Sequence, residues 1–465
     1  MNAETGGRIF AAEAFVEGRW RNNITLQWDA KGKLITVASS ECTEPGIAIA
    51  AGPLIPGMPN LHSHAFQRGM AGLAESMVDP KDSFWSWRTL MYRFAEALSP
   101  DDLTAICTWL YIEMLKAGYT SVCEFHYLHH APNGQRYADA AELSERVIQA
   151  SQYTGIGLTL LPVLYEFGGF NAAAPSPQQS RFVSSAEWIS NTLAILRARH
   201  PVSGNLQYGA APHSLRATTL QSIDALRRAL HAADAAAPMH IHIAEQRKEV
   251  EQCIETLGAR PVDWLLDNQP VDARWCLVHA THMSGAEYDK VAASGAVVGL
   301  CPSTEANLGD GFFDATRYLE KGASWGVGSD SHIAVDPFSE LRLLEYGQRL
   351  VHQRRNVLAS VEHPIVADRL YDEACAGGAL ASGRAIGNLA VGYRADFVVL
   401  DPDNPAFVGR TPDQYLSGAV FAEHGVRIVR DVFVGGYKVI DAGKHIAEAS
   451  AFSAYRAAVT RILTM

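Results

Sequence analysis

The sequence predicts an α/β protein: a (β/α)8 TIM-type barrel with a small β-sandwich domain formed by both chain termini. Three observations carry this. Between about residues 53 and 360, eight short apolar stretches alternate with longer segments of helical period. Residues 8–50 and about 388–445 instead read as short strands with glycine turns. At 465 residues, the chain is too long for one comfortable hydrophobic core, so a large domain with a smaller companion is expected. The expected division is 1–53 with 388–465 for the composite β domain, and 54–387 for the barrel.

The strand-like pieces run PLIPGMPNLHSH, TSVCEFHY, IGLTLLPVLYE, NLQYGAAPH, PMHIHIAE, RWCLVHAT, AVVGLCP and SWGVGSD. Helical spacing of apolar residues marks DDLTAICTWLYIEMLKAG, ADAAELSERVIQASQY and LQSIDALRRALHAADA. Strands that each lead into a helix imply a parallel sheet, and eight such units close into a barrel. Gly118, Gly155, Gly295 and Gly322 precede strands and suit left-handed helix ends. At the termini, RIFAAEAFVEGRWRNNITLQW, KLITVA, FVVLDP and VRDVFVGGYKVIDAGKH would each leave an apolar face bare, so the two ends are expected to pair. AAAPSPQQS (172–180) reads as a surface loop.

Composition narrows the partners. The formal net charge of -11 argues against nucleic acid, whose phosphates require clustered Lys and Arg. An anionic substrate would need locally placed arginines to overcome the global field. The opening MNAETGGRIFAAEAF has no basic flank before an apolar run, and no stretch approaches the ~20 apolar residues of a membrane span. Seven scattered cysteines (Cys42, Cys107, Cys123, Cys253, Cys276, Cys301, Cys375) form no CxxC pair, which fits reduced, buried thiols and a cytoplasmic protein. A homodimer is expected.

Chemistry gathers at the C-terminal ends of the strands, where barrel enzymes keep their sites. The first strand ends in His62-Ser63-His64, and residues two apart on a strand share a face. The fifth carries His240 and His242 with Glu245 three residues on; the sixth ends in His279 and the eighth in Asp330. Two histidines, a third and an aspartate make a mixed N/O set that suits zinc and leaves room for water. A lone HxH is weak evidence, since about half of such pairs are packing histidines. His240 reads as a satisfied interior histidine, and His129, His130 and His282 as loop residues. The joint placement on four strands is what raises the odds.

That joint pattern resembles the amidohydrolase superfamily along nearly the whole chain, including the split β domain. The resemblance implies His62, His64, His242 and Asp330 as metal ligands, and from the deaminase branch Glu245 and His279 as catalytic residues. Two-metal members bridge their ions with a carboxylated lysine, but no lysine lies between Lys116 and Lys248. One divalent ion per chain, zinc, is therefore expected. Zinc lowers the pKa of its bound water towards about 7. Asp330 can orient that water and take its proton, Glu245 can protonate the departing nitrogen, and His279 can stabilise developing charge.

Deaminases of aromatic bases in this branch usually carry Ser-Asn after the seventh strand, where this chain has Thr304-Glu305 in CPSTEANLGDG. The loops instead hold anion-binding groups: Gln67 in HSHAFQRG, Arg88 in FWSWR, Tyr127 in EFHYLHH, and His213 with Arg216 in PHSLR. Forked guanidinium groups read carboxylates, which points to a small-molecule dicarboxylate substrate. With HIHIAEQ, VHATH and GSDSH, the whole set looks like the formimidoylglutamate deiminases. By that resemblance the reaction is hydrolysis of the formimino C=N group of N-formimino-L-glutamate, a step of histidine degradation. An aromatic-base deaminase, such as one acting on guanine, is the alternative enzyme. A catalytically silent scaffold is a third reading, and the retained ligand set argues against it.

Overall fold

In the computed structural model the described residues are 6–40, 46–76, 84–422 and 428–464. The barrel strands, in chain order, are β1 (Met58–Ser63), β2 (Tyr119–His126), β3 (Gly157–Leu164), β4 (Leu206–Tyr208 continued by Ala211–Pro212), β5 (Met239–Ile243), β6 (Trp275–His279), β7 (Val297–Leu300) and β8 (Trp325–Val327). Neighbours from β1 to β4 and from β5 to β8 pair in parallel. Two seams close the ring. Between β4 and β5, His240 N–H donates to the Ala210 carbonyl at 3.1 Å. Between β8 and β1, Asp330 N–H donates to the His62 carbonyl at 3.0 Å and His64 N–H to the Asp330 carbonyl at 3.1 Å. The second seam brings metal-ligand candidates from the two ends of the barrel side by side.

That seam needs a glycine. A Cβ on Gly328 would stand 2.7 Å from the His62 nitrogen and 2.8 Å from its carbonyl oxygen, closer than any side chain tolerates. At the other end of β1, the stretch predicted as one strand serves two sheets. Leu54–Pro56 pairs antiparallel with Phe397–Leu400, while Met58–Ser63 enters the barrel. The pivot, Gly57, lies so close to Thr120 that a Cβ would meet its side chain at 2.2 Å.

Helices follow the strands as the spacing predicts, among them Pro100–Ala117, Glu142–Thr154 and Leu220–Ala233. Ser99 caps the first of these in a reciprocal box with Asp102, and Thr219 caps the last with Ser222. The four expected glycines are all left-handed, with φ of 105° at Gly118, 79° at Gly155, 77° at Gly295 and 62° at Gly322. The 172–180 loop is mostly exposed and holds one short 3-10 turn, Pro177–Gln179.

Both termini build one sheet. Hydrogen bonds run without a break from Lys444–His445 through Tyr437–Asp441, Val429–Val434, Phe397–Leu400, Leu54–Pro56, Gly7–Val16 and Arg19–Trp28 to Leu34–Ser39. Its side chains alternate in destination, as a two-residue period requires. Phe397 and Val399 join Ile9, Leu26 and Leu34 in a core of the sheet's own, whereas Val398 and Leu400 join the main core. The last helix, Glu448–Leu463, leaves the sheet and lies on the barrel helix Pro100–Ala117. Trp109 stacks there against Tyr455, and Arg461 and Glu448 pair with Asp102 and Lys116. Six described cysteines are free and buried, and Cys42 lies outside the described residues. No described helix is long and apolar enough to cross a membrane.

Candidate active site

The ends of β1, β5, β6 and β8 meet at one point. The Nε2 atoms of His62, His64 and His242 stand 3.1, 3.3 and 3.0 Å apart, all three side chains buried. Asp330 Oδ1 lies 3.3 Å from His64 Nε2 and 3.6 Å from His62 Nε2. His64 Nδ1 donates to the Phe125 carbonyl at 3.0 Å and His242 Nδ1 to the His213 carbonyl at 3.1 Å. A carbonyl can only accept, so these bonds place the protons on Nδ1 and turn the Nε2 lone pairs inward.

Burial holds all three imidazoles neutral, with His64 pushed down to about 3 and His62 and His242 also well below the ordinary value. Converging lone pairs repel one another unless a cation lies among them. A tetrahedral centre with bonds of about 2.0–2.1 Å sets its ligand atoms about 3.3 Å apart, close to the spacing of this trio. The donor set therefore fits a divalent transition metal.

Two neighbours complete the reactive end. His279 Nε2 lies 3.8 Å from Glu245 Oε1 and 3.8 Å from Asp330 Oδ2. Burial opposes a charge on His279, but Glu245, Glu305 and Asp330 together overcome it and raise the imidazole to about 10. Asp330 is pushed up to about 7 by burial, against the pull of His279. A bound cation would favour its carboxylate form. Non-glycine residues in left-handed backbone mark these strand ends: φ is 52° at Ala244, 69° at His279 and 43° at Asp330. Such strain concentrates where the fold aims a side chain.

Glu249 explains how Glu245 is aimed. Fully buried, it accepts the Ala244 N–H at 3.2 Å and the Glu245 N–H at 3.1 Å, clamping the turn after β5. Sequence reasoning missed this residue, and also Glu305, whose Oε1 lies 3.3 Å from His279 Nδ1. The only sequence signal for either was an acidic residue placed just after a strand end. His279, Cys301 and Glu305 also lie near enough to hold an ion. His279 Nδ1 and the Cys301 N–H both meet Glu305 Oε1, so we read that trio as a hydrogen-bonded group.

The five residues expected to meet substrate all line one cavity that opens beside His64 and His242. Gln67 Nε2 donates to the Tyr127 hydroxyl at 2.7 Å. His213 packs edge-on to Tyr165 at 4.7 Å and to His242 at 5.0 Å. Arg216 is buried; burial opposes its charge, and Glu249 and Glu245 more than offset this. Arg88, expected in a loop, sits on the helix Phe84–Ala97 with its guanidinium 5.5 Å from the Tyr92 ring. A helix fixes that charge more firmly than a loop would. Thr304 lines the same cavity, while its hydroxyl pairs with that of Ser331 at 3.0 Å. The bland readings also find their places: His240 Nε2 bonds the Ala381 carbonyl at 2.7 Å, and His129, His130 and His282 bond loop or strand carbonyls.

The model of the amidohydrolase family matches residues 54–439. This chain belongs to the amidohydrolase family. Among its relatives in that family is a formimidoylglutamate deiminase from Pseudomonas aeruginosa, 50% identical over 95% of this chain and 96% of that protein. The crystal structure of an amidohydrolase from Brucella melitensis superposes with a TM-score of 0.91 at 42% identity, covering 98% and 100% of the two chains. An adenosine deaminase from Xanthomonas campestris, solved with bound zinc, shares the fold at 20% identity with a TM-score of 0.81 over 99% of each chain. The amidohydrolase barrel thus has a histidine-rich metal site at the mouth of its strands.

Proposed function

We propose that the chain hydrolyses N-formimino-L-glutamate to N-formyl-L-glutamate and ammonia, in histidine degradation. The observation that carries this reading is the sharing of one cavity by His64 and His242 of the imidazole trio, Glu245 and two arginines. It is supported by the 50% identity to a formimidoylglutamate deiminase over nearly the full length of both chains. His62, His64, His242 and Asp330 would hold one zinc ion per chain, since no lysine is available between Lys116 and Lys248 to bridge a pair. When bound, the ion supplies a Lewis acid that makes water nucleophilic near neutral pH.

The residues do the rest. Asp330 orients the attacking water and accepts its proton. Glu245 carries a proton to the formimino nitrogen, which leaves as ammonia when the C–N bond breaks. His279 donates from Nε2 to the charge that develops at the reacting carbon's new oxygen. Arg88 and Arg216, with Gln67, Tyr127 and His213, hold the two carboxylates of the glutamate tail. Fixing the tail at the wall of the cavity places the formimino group over the metal site, and that positioning lowers the entropy cost of reaction.

We further assign residues 1–53 with 388–465 to a composite β domain and 54–387 to the catalytic barrel, whose first residues, Leu54–Pro56, are lent to the terminal sheet. A cytoplasmic homodimer is the expected form. The test of function is ammonia release from metal-replete protein given N-formimino-L-glutamate or guanine under identical conditions. Turnover of the first and not the second is expected; the reverse would overturn the assignment.

A further inference from the structure

We propose that Glu305 is the positioning residue for His279, holding its Nδ1–H so that Nε2 faces the reacting centre. This rests on the function proposed above only for its activity readout. The geometry is specific. Glu305 Oε1 stands 3.3 Å from His279 Nδ1, on the ring edge opposite the Nε2 that approaches Glu245 and Asp330. The same oxygen accepts the Cys301 N–H at 2.9 Å, which fixes the carboxylate. Its helix, Pro302–Leu308, is tied down in turn, because Thr304 Oγ1 accepts the Ser331 N–H at 3.2 Å. Both Glu305 and His279 are buried.

A neutral imidazole has one donor and one acceptor nitrogen, and a carboxylate can only accept. With Glu305 on Nδ1, that nitrogen must carry a proton. A cationic ring then donates from Nε2 as well, and a neutral ring accepts there. Either way Nε2 is the atom that exchanges with the reaction, and the ring cannot flip without losing its partner. The alternative is that Glu305 merely caps its short helix through Cys301.

The experiment uses full-length, zinc-loaded protein labelled with 15N-histidine. The Nδ1–H resonance of His279 is assigned by its absence in His279→Asn. In Glu305→Gln, whose amide keeps the shape but not the charge, that resonance is expected to shift by more than 1 ppm in the proton dimension. In Glu305→Ala it is expected to vanish through solvent exchange. With N-formimino-L-glutamate, kcat of Glu305→Gln should fall about 10- to 100-fold with KM changed less than about 3-fold, the usual scale for a residue that orients a working histidine. In the His279→Asn background, the same change should cost less than about 2-fold, because the two act as one unit. An unchanged resonance in both variants would overturn the proposal, as would equal losses in the two backgrounds, which mean a helix cap. Wild-type protein that gives the resonance pattern but no ammonia would leave the positioning role intact and sink the substrate assignment instead.

Discussion

The His213 carbonyl accepts two hydrogen bonds from His242, one from the backbone N–H and one from ring Nδ1, each at 3.1 Å. The bond is main-chain on the His213 side, so it survives any substitution of that side chain. His213→Ala should therefore keep its metal while losing substrate affinity. Loss of one bond to a charged group is worth ~1.5–3 kcal/mol, or about 10- to 150-fold in kcat/KM. Metal content measured alongside kinetics checks this, and loss of the ion would show that the side chain itself supports His242.

Metal analysis tests the ligand set directly. About one divalent ion per chain is expected at full activity, removable by chelation and restored by zinc. His62→Ala and His242→Ala should lose it, because each Nε2 stands within 3.3 Å of the other two in the trio. Two tightly bound ions per active chain would contradict the absence of a bridging lysine.

Glu245→Gln should retain the metal and lose ~10²–10⁴-fold in kcat, since an amide cannot relay a proton. Near-normal turnover would remove Glu245 from the reaction. Glu249→Gln is the companion test. It acts through the turn that aims Glu245 and should give a smaller loss, with lower thermal stability.

Arg88→Met and Arg216→Met should each cost about 10- to 150-fold in kcat/KM without loss of metal, from ~1.5–3 kcal/mol per charge-assisted contact. Arg→Lys should also be costly where the grip is bidentate. An analogue lacking one carboxylate separates the roles: the matching variant should harm its turnover little. Equal harm on full and truncated substrates would mean that the arginines support the fold.

Gly328→Ala should destabilise the protein by ~1–3 kcal/mol, the usual cost of overpacking, and lower metal occupancy at limiting zinc. The added methyl would press on the His62 backbone at the seam that sets Asp330 beside the histidines. A Tm and metal content equal to wild type would show that the seam can relax.

The sequence alone determined the barrel, the shared sheet of the two termini and the gathering of the candidate ligands at the strand ends, because each is written in local pattern. Alternating apolar runs specify strand and helix, and HxH, HxxE and Asp330 fall at strand ends where the fold must bring them together. His240 could be set apart from His242 by depth, one step further from the mouth on the same strand face, and its bond to Ala381 agrees. Tertiary structure decided what local pattern cannot encode. The split of PLIPGMPNLHSH at Gly57 depends on Phe397 and Thr120, residues far away in sequence. The helix that carries Arg88, Phe84–Ala97, is set against Pro177–Gln179, a turn far away in sequence. The roles of Glu249 and Glu305 depend on which backbone N–H or imidazole a buried carboxylate meets, and such partners come together only when the ring of strands has closed.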